Sequence, residues 1–349
     1  MIDVPSPLRL RLDHDALVAN WRWLAAQSGA AACGAAVKAD GYGLGARDVM
    51  RHLAAAGCRD FFVATWAEAA ALMPLPEGVS LSVLHGVGVS DMIAARTLPA
   101  RPVLGSLAQV ARWREAGEGR PCDVMVDTGM NRLGLRVEEA MDGALDGLAI
   151  DTLLSHLASA DEDSALNLLQ LAAFRAVRGR VPARRYSLAN SAGICLGADY
   201  GFDLTRPGIA LYGGIPREEA SGHIGQVVFP EARVLQVRPV RAGETVGYGA
   251  IWSASADTRI AVANMGYADG YLRCHAGTGG ARWQDRTLPL IGQVSMDLVA
   301  YDATGADALD EGEWLSIDYD LPEVSQRCGL SQYELLTGLG RRWSREWIA

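Results

Sequence analysis

Between residue 31 and about residue 212, short β-prone runs alternate with stretches of helical spacing, and this alternation restricts the architecture more than any other feature of the chain. The runs are Cys33 to Val37, Phe61 to Ala64, Leu81 to Leu84, Pro102 to Leu104, Asp123 to Val126, Thr152 to Leu154, Arg185 to Leu188 and Ile209 to Tyr212. Around them, Leu17, Trp21 and Leu24 before the first run, and Ala46, Val49, Met50 and Leu53 after it, recur at the spacing of one helix face. Eight strands alternating with helices predict an α/β fold, a closed (β/α)8 TIM barrel, because an open sheet that wide would leave two edges to cover.

Past about residue 225 the pattern changes. Ala232 to Val240, Arg259 to Asn264, Leu288 to Val299 and Glu313 to Ile317 read as strands joined by Gly-rich turns, without amphipathic helices between them. Leu8 to Leu12 alternates apolar and basic residues and reads as a further strand of this part. The expected organisation is a barrel over 13–225 and a C-terminal all-β domain over 226–349, joined by the N-terminal strand 1–12. With 50% hydrophobic residues the chain can bury a large core, and its net charge of −9 without a basic cluster excludes a nucleic-acid partner. The six cysteines, at 33, 58, 122, 195, 274 and 328, form no C-x-x-C pair and read as small hydrophobes in a reducing compartment. Pro5 and Pro7 interrupt any signal-like run, and no stretch of about 18 uncharged apolar residues occurs, so the expectation is a soluble cytoplasmic protein without membrane or metal.

Lys38 ends the first apolar run in AAVKADGYGLG, on the face where barrels build active sites. Desolvation there lowers an amine's pKa and makes it a nucleophile toward carbonyls. The glycines that follow match neither G-x-G-x-x-G nor a P-loop, so a nucleotide site is not indicated. If the strand register holds, His85, Arg132, His156, Asn190 with Ser191, and Gly208 fall on the same rim, an arrangement expected of a small-molecule site.

The words AAVKADGYGLG, VDTGMNRLGL, SHLASAD, LANSAG, DLTRPGIALYGG, TVGYGA, MGYADGY and GQVSMD resemble, in order, the signatures of bacterial alanine racemases. They span residues 35 to 297 and cover both parts of the chain. The resemblance implies an isomerase dependent on pyridoxal 5′-phosphate (PLP), with a barrel, a C-terminal β domain, and a homodimer that completes each active site. Lys38 is similar to the lysine that binds PLP covalently and serves as a base on one face of the substrate. Tyr248 resembles the base on the opposite face, reaching in from the partner subunit. Racemisation requires such a pair, because one base alone mostly restores the proton it removed.

By the same resemblance Arg206 faces the pyridine nitrogen of PLP, and His156 hydrogen-bonds this arginine. Tyr42, Ser191 and the amides of Gly208 and Ile209 match the phosphate cradle, and Arg132 matches the arginine near the substrate carboxylate. Tyr267 and Met296 resemble partner-chain residues that narrow the substrate entrance; without the resemblance Met296 reads as core filling. Two positions depart from the pattern. Met125 stands where many members have a carboxylated lysine that orients the arginine, so Arg132 is expected to find another anionic or hydrogen-bonding partner. Arg341 stands where members often place a tyrosine that touches the phosphate. Both departures leave substrate breadth open between alanine alone and a wider range such as serine, and leave open whether D-alanine is made for peptidoglycan or catabolised. A PLP-dependent decarboxylase on the same scaffold typically sets a carboxylate at the pyridine nitrogen, and Arg206 argues against it.

Overall fold

A computed structural model describes residues 4–348. Residues 1–3 of the expected N-terminal strand, and residue 349 of the expected C-terminal domain, lie outside the described residues. The chain divides into two compact units, Ala16–Gly225 and Met1–Asp15 with Gln226–Ala349.

The first unit is a ring of parallel strands. Ala35–Ala36, Asp60–Val63, Ser80–Val83, Arg101–Leu104, Cys122–Asp127, Ile150–Leu154 and Arg185–Ser187 pair in that order, each parallel to the next. Leu204–Thr205 closes the ring: it pairs in parallel with Ala32–Cys33, and Asp203 and Arg206 donate their backbone N–H groups to Tyr186 and Ala189 on the other side. Asp60–Val63 is buried at every position, as a barrel strand covered on both faces must be.

The two rims of this ring differ in chemistry. At the N-terminal ends of the strands, Arg185 bonds Asp60 at 2.7 and 3.0 Å and Asp151 at 3.1 Å, while Arg101 bonds Asp123 at 3.3 Å. Ser82 donates to the fully buried Asp123 at 2.5 Å, so this end is sealed by a paired charge network. The C-terminal ends carry Lys38, Arg132, His156 and Arg206 instead.

The second unit is built on an antiparallel ring of Val228–Val240, Thr258–Ala263, Val299–Asp302, Arg286–Ile291, Gly280–Trp283 and Trp314–Ile317. Leu8–Asp13 extends it by pairing antiparallel with Val228–Val240, and Ser344–Ile348 follows in parallel. The alternation read in the sequence is visible here: Leu8, Leu10 and Leu12 are buried, and Arg9 between them reaches Glu231 and the Trp314 ring.

The structure corrects some of the expected elements. Ile209–Tyr212 is a 3-10 helix, not the eighth strand, which is the two-residue Leu204–Thr205 just before it. Leu288 to Val299 is two strands, because Gly292, at φ +66, breaks the run. The β part also carries the helices Leu321–Cys328 and Gln332–Thr337. Among the described residues, no helix is long and apolar enough to cross a membrane.

Candidate active site

Lys38 leaves the strand Ala35–Ala36 into a turn that few sequences tolerate. Ala39, Asp40, Gly41 and Tyr42 all have φ between +51 and +64, left-handed values that three of these four side chains disfavour. The turn is over-determined from outside. Glu68 Oε1 accepts the Ala39 N–H at 2.8 Å, Asp40 Oδ1 accepts that of Ala46 at 2.9 Å, and the Asp40 carbonyl accepts that of Gly45 at 2.8 Å. Glu68 is available because Thr65 caps its helix in a reciprocal capping box, which also ties Glu68 Oε2 to the Ala64 and Thr65 N–H groups.

The half-buried Lys38 ammonium is destabilised first by burial and then by the positive charge of Arg132, with a smaller contribution from Arg206; Glu68 opposes these effects, and the pKa lies below that of an ordinary lysine. The imidazole of His156 responds in the same direction. Burial, then Arg206, Arg132 and Lys38, pull its pKa to about 3, so it is neutral at any physiological pH. Three cations therefore converge around one neutral histidine.

Arg206 is buried, and desolvation draws its pKa down to about 10 against the opposing charge of Asp123. Its guanidinium donates to Ser187 Oγ and to the Ser155 carbonyl, the latter at 2.6 Å, and these are neutral partners. The expected His156–Arg206 hydrogen bond is not what holds it. Ser155 and Ser187 were not singled out in the sequence, because serines at strand ends carry no spacing signal.

The proposed phosphate residues do meet. Ser191 Oγ, at the start of the helix Ser191–Cys195 capped by Asn190, accepts the N–H groups of Gly208 at 2.8 Å and Ala210 at 3.3 Å. Tyr42 is buried and stacked on Tyr212 at 4.6 Å. A Cβ on Gly208 would lie 2.2 Å from the Tyr42 hydroxyl, so backbone, phenol and serine crowd one point that only a glycine permits. Ile209 opens the following 3-10 helix, beside this point. Serine and tyrosine hydroxyls and backbone amides gathered in the same stretch of the rim as a lysine of depressed pKa fit the phosphate and carbonyl ends of PLP. His85, also expected on this rim, is exposed and bonded through its backbone to Ala64 and Gln109.

Arg132 departs from expectation. Its side chain is exposed and makes no hydrogen bond or ion pair to another described residue. The carboxylate that serves it is Asp127, through the backbone: Asp127 accepts N–H groups of Gly129 at 2.8 Å, Asn131 at 3.0 Å and Arg132 at 2.9 Å. Burial raises the Asp127 pKa, but these bonds outweigh it and hold the carboxyl below its ordinary value. Beneath the loop, Met125 is buried, and a Cβ on Gly134 would come within 3.2 Å of its side chain, so the methionine acts as packing. Arg132, Asp127 and Arg136 line a cleft of about 490 Å³.

The remaining expected residues lie in the β unit and are brought together there. Tyr267 and Ala268 donate their N–H groups to Ser295 and Met296 at 3.0 and 3.1 Å, and Gly266 lies so close that a Cβ would be 2.3 Å from both carbonyls. Tyr248 sits beyond the strand Thr245–Val246, and a Cβ on Gly292 would be 2.8 Å from the Val246 carbonyl. Tyr248 is 72% exposed and Met296 54%, so Met296 is not core filling. Arg341 is exposed; its neighbour Arg342 has the structural part, bonding Asp269 at 2.6 and 2.8 Å and Asp297 at 2.6 Å and so clamping the two loops.

Comparison with known proteins agrees with this geometry. The family model described as "Alanine racemase, N-terminal domain" matches residues 12–216, and that described as "Alanine racemase, C-terminal domain" matches 227–347. An alanine racemase from Acidiphilium cryptum is 42% identical over 96% of this chain and 97% of its own length. One from Methylobacterium nodulans is 44% identical over 97% and 96%. The crystal structure of alanine racemase from Bartonella henselae with covalently bound pyridoxal phosphate is 36% identical and superposes with a TM-score of 0.91 over 99% of this chain and 100% of that one.

Proposed function

The chain belongs to the alanine racemase family, and from that premise we propose that it interconverts L-alanine and D-alanine, with PLP as cofactor, by a two-base mechanism using Lys38 and the Tyr248 of a partner subunit. PLP, when bound, supplies an electrophilic carbonyl carbon and a ring that withdraws electron density from the substrate α-carbon. Lys38 Nζ would hold the cofactor covalently. As a free amine, kept short of its usual basicity by burial and by Arg132 and Arg206, it would take or return the substrate α-proton on its own face. Tyr248 Oη does the opposite on the other face.

Arg206 retains its proton near neutral pH and accepts none, so a ring nitrogen set against it would stay unprotonated. That would restrain electron withdrawal and limit side reactions such as transamination. Its neutral partners, Ser155 and Ser187, bring no carboxylate to the position, which favours a racemase over a decarboxylase. Tyr42, Ser191, Gly208 and Ile209 would hold the phosphate, Arg132 would bind the substrate carboxylate, and Tyr267 and Met296 would narrow the way in from the partner subunit.

Homodimer formation is supported by a solvent-facing group in the β unit, where Tyr248, Ile251, Met296 and Leu298 are each at least 40% exposed. Six free thiols are in keeping with a cytoplasmic setting. The observation that carries the proposal is the left-handed turn from Lys38 to Tyr42, which sets the half-buried lysine beside the point where the Tyr42 hydroxyl, Ser191 Oγ and the Gly208 backbone meet. Borohydride reduction of the PLP-loaded protein, followed by peptide mapping, tests it: the label belongs on Lys38, and a label on any other residue overturns the assignment.

A further inference from the structure

The β unit holds a group of metal-ligating side chains for which the racemase chemistry has no use. Cys274, His275 and Cys328 each offer a donor atom, and the three atoms lie within 4.8 Å of one another. The Cys328 sulfur is 3.6 Å from His275 Nδ1. In a tetrahedral zinc site, with bonds of about 2.3 Å to sulfur and about 2.0–2.1 Å to nitrogen, adjacent donors stand about 3.5–3.8 Å apart, so the cluster needs little adjustment to close on an ion.

Two separated pieces of chain build the cluster. Cys274 and His275 end the 3-10 turn Arg273–His275, and Cys328 ends the helix Leu321–Cys328, stopped by Gly329 at φ +67. The imidazole is held rigidly. His275 is 1% exposed, stacked on Tyr271 at 3.8 Å, with Tyr319 on a centroid distance of 6.4 Å. Gly279 lets the chain close over it, since a Cβ there would be 2.3 Å from the Tyr271 hydroxyl and 3.3 Å from His275 Cβ. Arg327, which precedes Cys328, is engaged by Asp318 at 2.9 Å and by the Thr278 carbonyl at 3.3 Å.

The ring nitrogen that faces the cluster is weakly partnered: Nδ1 meets only thiol sulfur, while Nε2 is buried without a partner and is the nitrogen that keeps its proton when Nδ1 binds a metal. Cys33, Cys58 and Cys122 are buried, as small hydrophobes are, whereas Cys274 and Cys328, like Cys195, are only half-buried, and this leaves an ion a path from solvent to the cluster.

We propose that Cys274, His275 and Cys328 form a Zn²⁺ site, with water as the fourth ligand. Two thiolates and an imidazole are the donor set that a borderline-soft d¹⁰ ion prefers over Mg²⁺ or Ca²⁺. On binding, each thiol releases its proton to solvent as its sulfur bonds the metal, Nδ1 contributes its lone pair, and nothing is oxidised or reduced. The ion pins the 273–275 turn to the end of the 321–328 helix.

The test uses the PLP-loaded, full-length protein, reduced, stripped with a chelator and freed of it. Co²⁺ is the spectroscopic probe and Zn²⁺ the competitor. One equivalent of Co²⁺ per chain is expected to produce a thiolate-to-metal charge-transfer band with strong tetrahedral d–d absorption, and Zn²⁺ is expected to abolish both. Cys274→Ser and Cys328→Ser should each weaken Zn²⁺ binding by about tenfold or more, since even loss of an outer partner costs that much. Zn²⁺ should raise the Tm of the parent and not that of the double variant, with circular dichroism checking that the variants are folded. Absence of the charge-transfer band in the reduced parent overturns the proposal. So does unchanged binding in the folded double variant, and so does a Cys274–Cys328 disulfide that forms in air at saturating Zn²⁺, which would make the pair a redox couple.

Discussion

Arg132 shows how a single residue is positioned differently from its word. The arginine was legible in GMNRLG, but what holds it was not: Asp127, five residues earlier, fixes the backbone of the loop through the N–H groups of Gly129, Asn131 and Arg132. An aspartate followed by a glycine two residues later reads as an ordinary turn, and nothing in its spacing points to the substrate. Asp127→Asn turns an amide toward at least one of those N–H groups and removes charge-assisted bonds worth about 1.5–3 kcal/mol. Because the loop is partly solvated, the low end applies. The KM for alanine is expected to rise about tenfold with a smaller change in kcat, and steady-state kinetics showing a fall in kcat at constant KM would contradict this positioning role. Arg206 is the converse case: the word LTRPG identified it, while Ser155 and Ser187, which hold it, come from strand ends that look like any other.

At the level of elements, the strand pattern was readable where runs were long and failed where geometry overrode composition. Ile209–Tyr212 is apolar and bounded by Gly208 and Gly213, so it reads as a strand, yet it is a 3-10 helix whose start must stay open beside Tyr42. Gly208→Ala tests that tight start. Its Cβ would lie 2.2 Å from the Tyr42 hydroxyl, and relieving the overlap at about 1–3 kcal/mol should weaken PLP binding by about ten- to a hundredfold in a titration of the cofactor-free protein. Unchanged affinity would mean that Tyr42 swings away without consequence. The opposite rim carries the stability. Asp60 and Asp151 are raised by burial, but Arg185, with Arg101, more than compensates, so both carboxyls lie below their ordinary value of 3.8. The stability they contribute is therefore complete above that value and lost as pH falls through the depressed folded pKa. Arg185→Met leaves the buried Asp60 without its arginine and takes one partner from the half-buried Asp151, and should cost about 3–5 kcal/mol at pH 7 by urea unfolding, with the gap to the parent narrowing in acid. A constant gap down to pH 3 would contradict the pairing.

For the molecule as a whole, the sequence reading carried the division into a parallel barrel and an antiparallel β part, because a periodicity of strands and helices and its disappearance past residue 225 are global signals. Pairings such as Leu8–Asp13 with Ser344–Ile348 join the two ends of the chain and leave no local trace. The same holds for Cys274 with Cys328, whose spacing matches no metal motif. The words MGYADGY and GQVSMD, far apart along the β part, are clamped together by Arg342, and TVGYGA approaches GQVSMD at Gly292, with Tyr248 projecting into solvent. In the single chain this phenol meets no second surface, and a partner's Lys38 site would provide one. Mixing inactive Lys38→Ala and Tyr248→Phe proteins is the most direct measurement of this claim. With random exchange in equal amounts, half of the dimers are hybrids and one of the two sites in each is intact, so racemase activity should recover to about a quarter of the parent value. Full subunit exchange, verified by mass spectrometry of the intact dimers, with no recovered activity would contradict it, placing both bases in one chain.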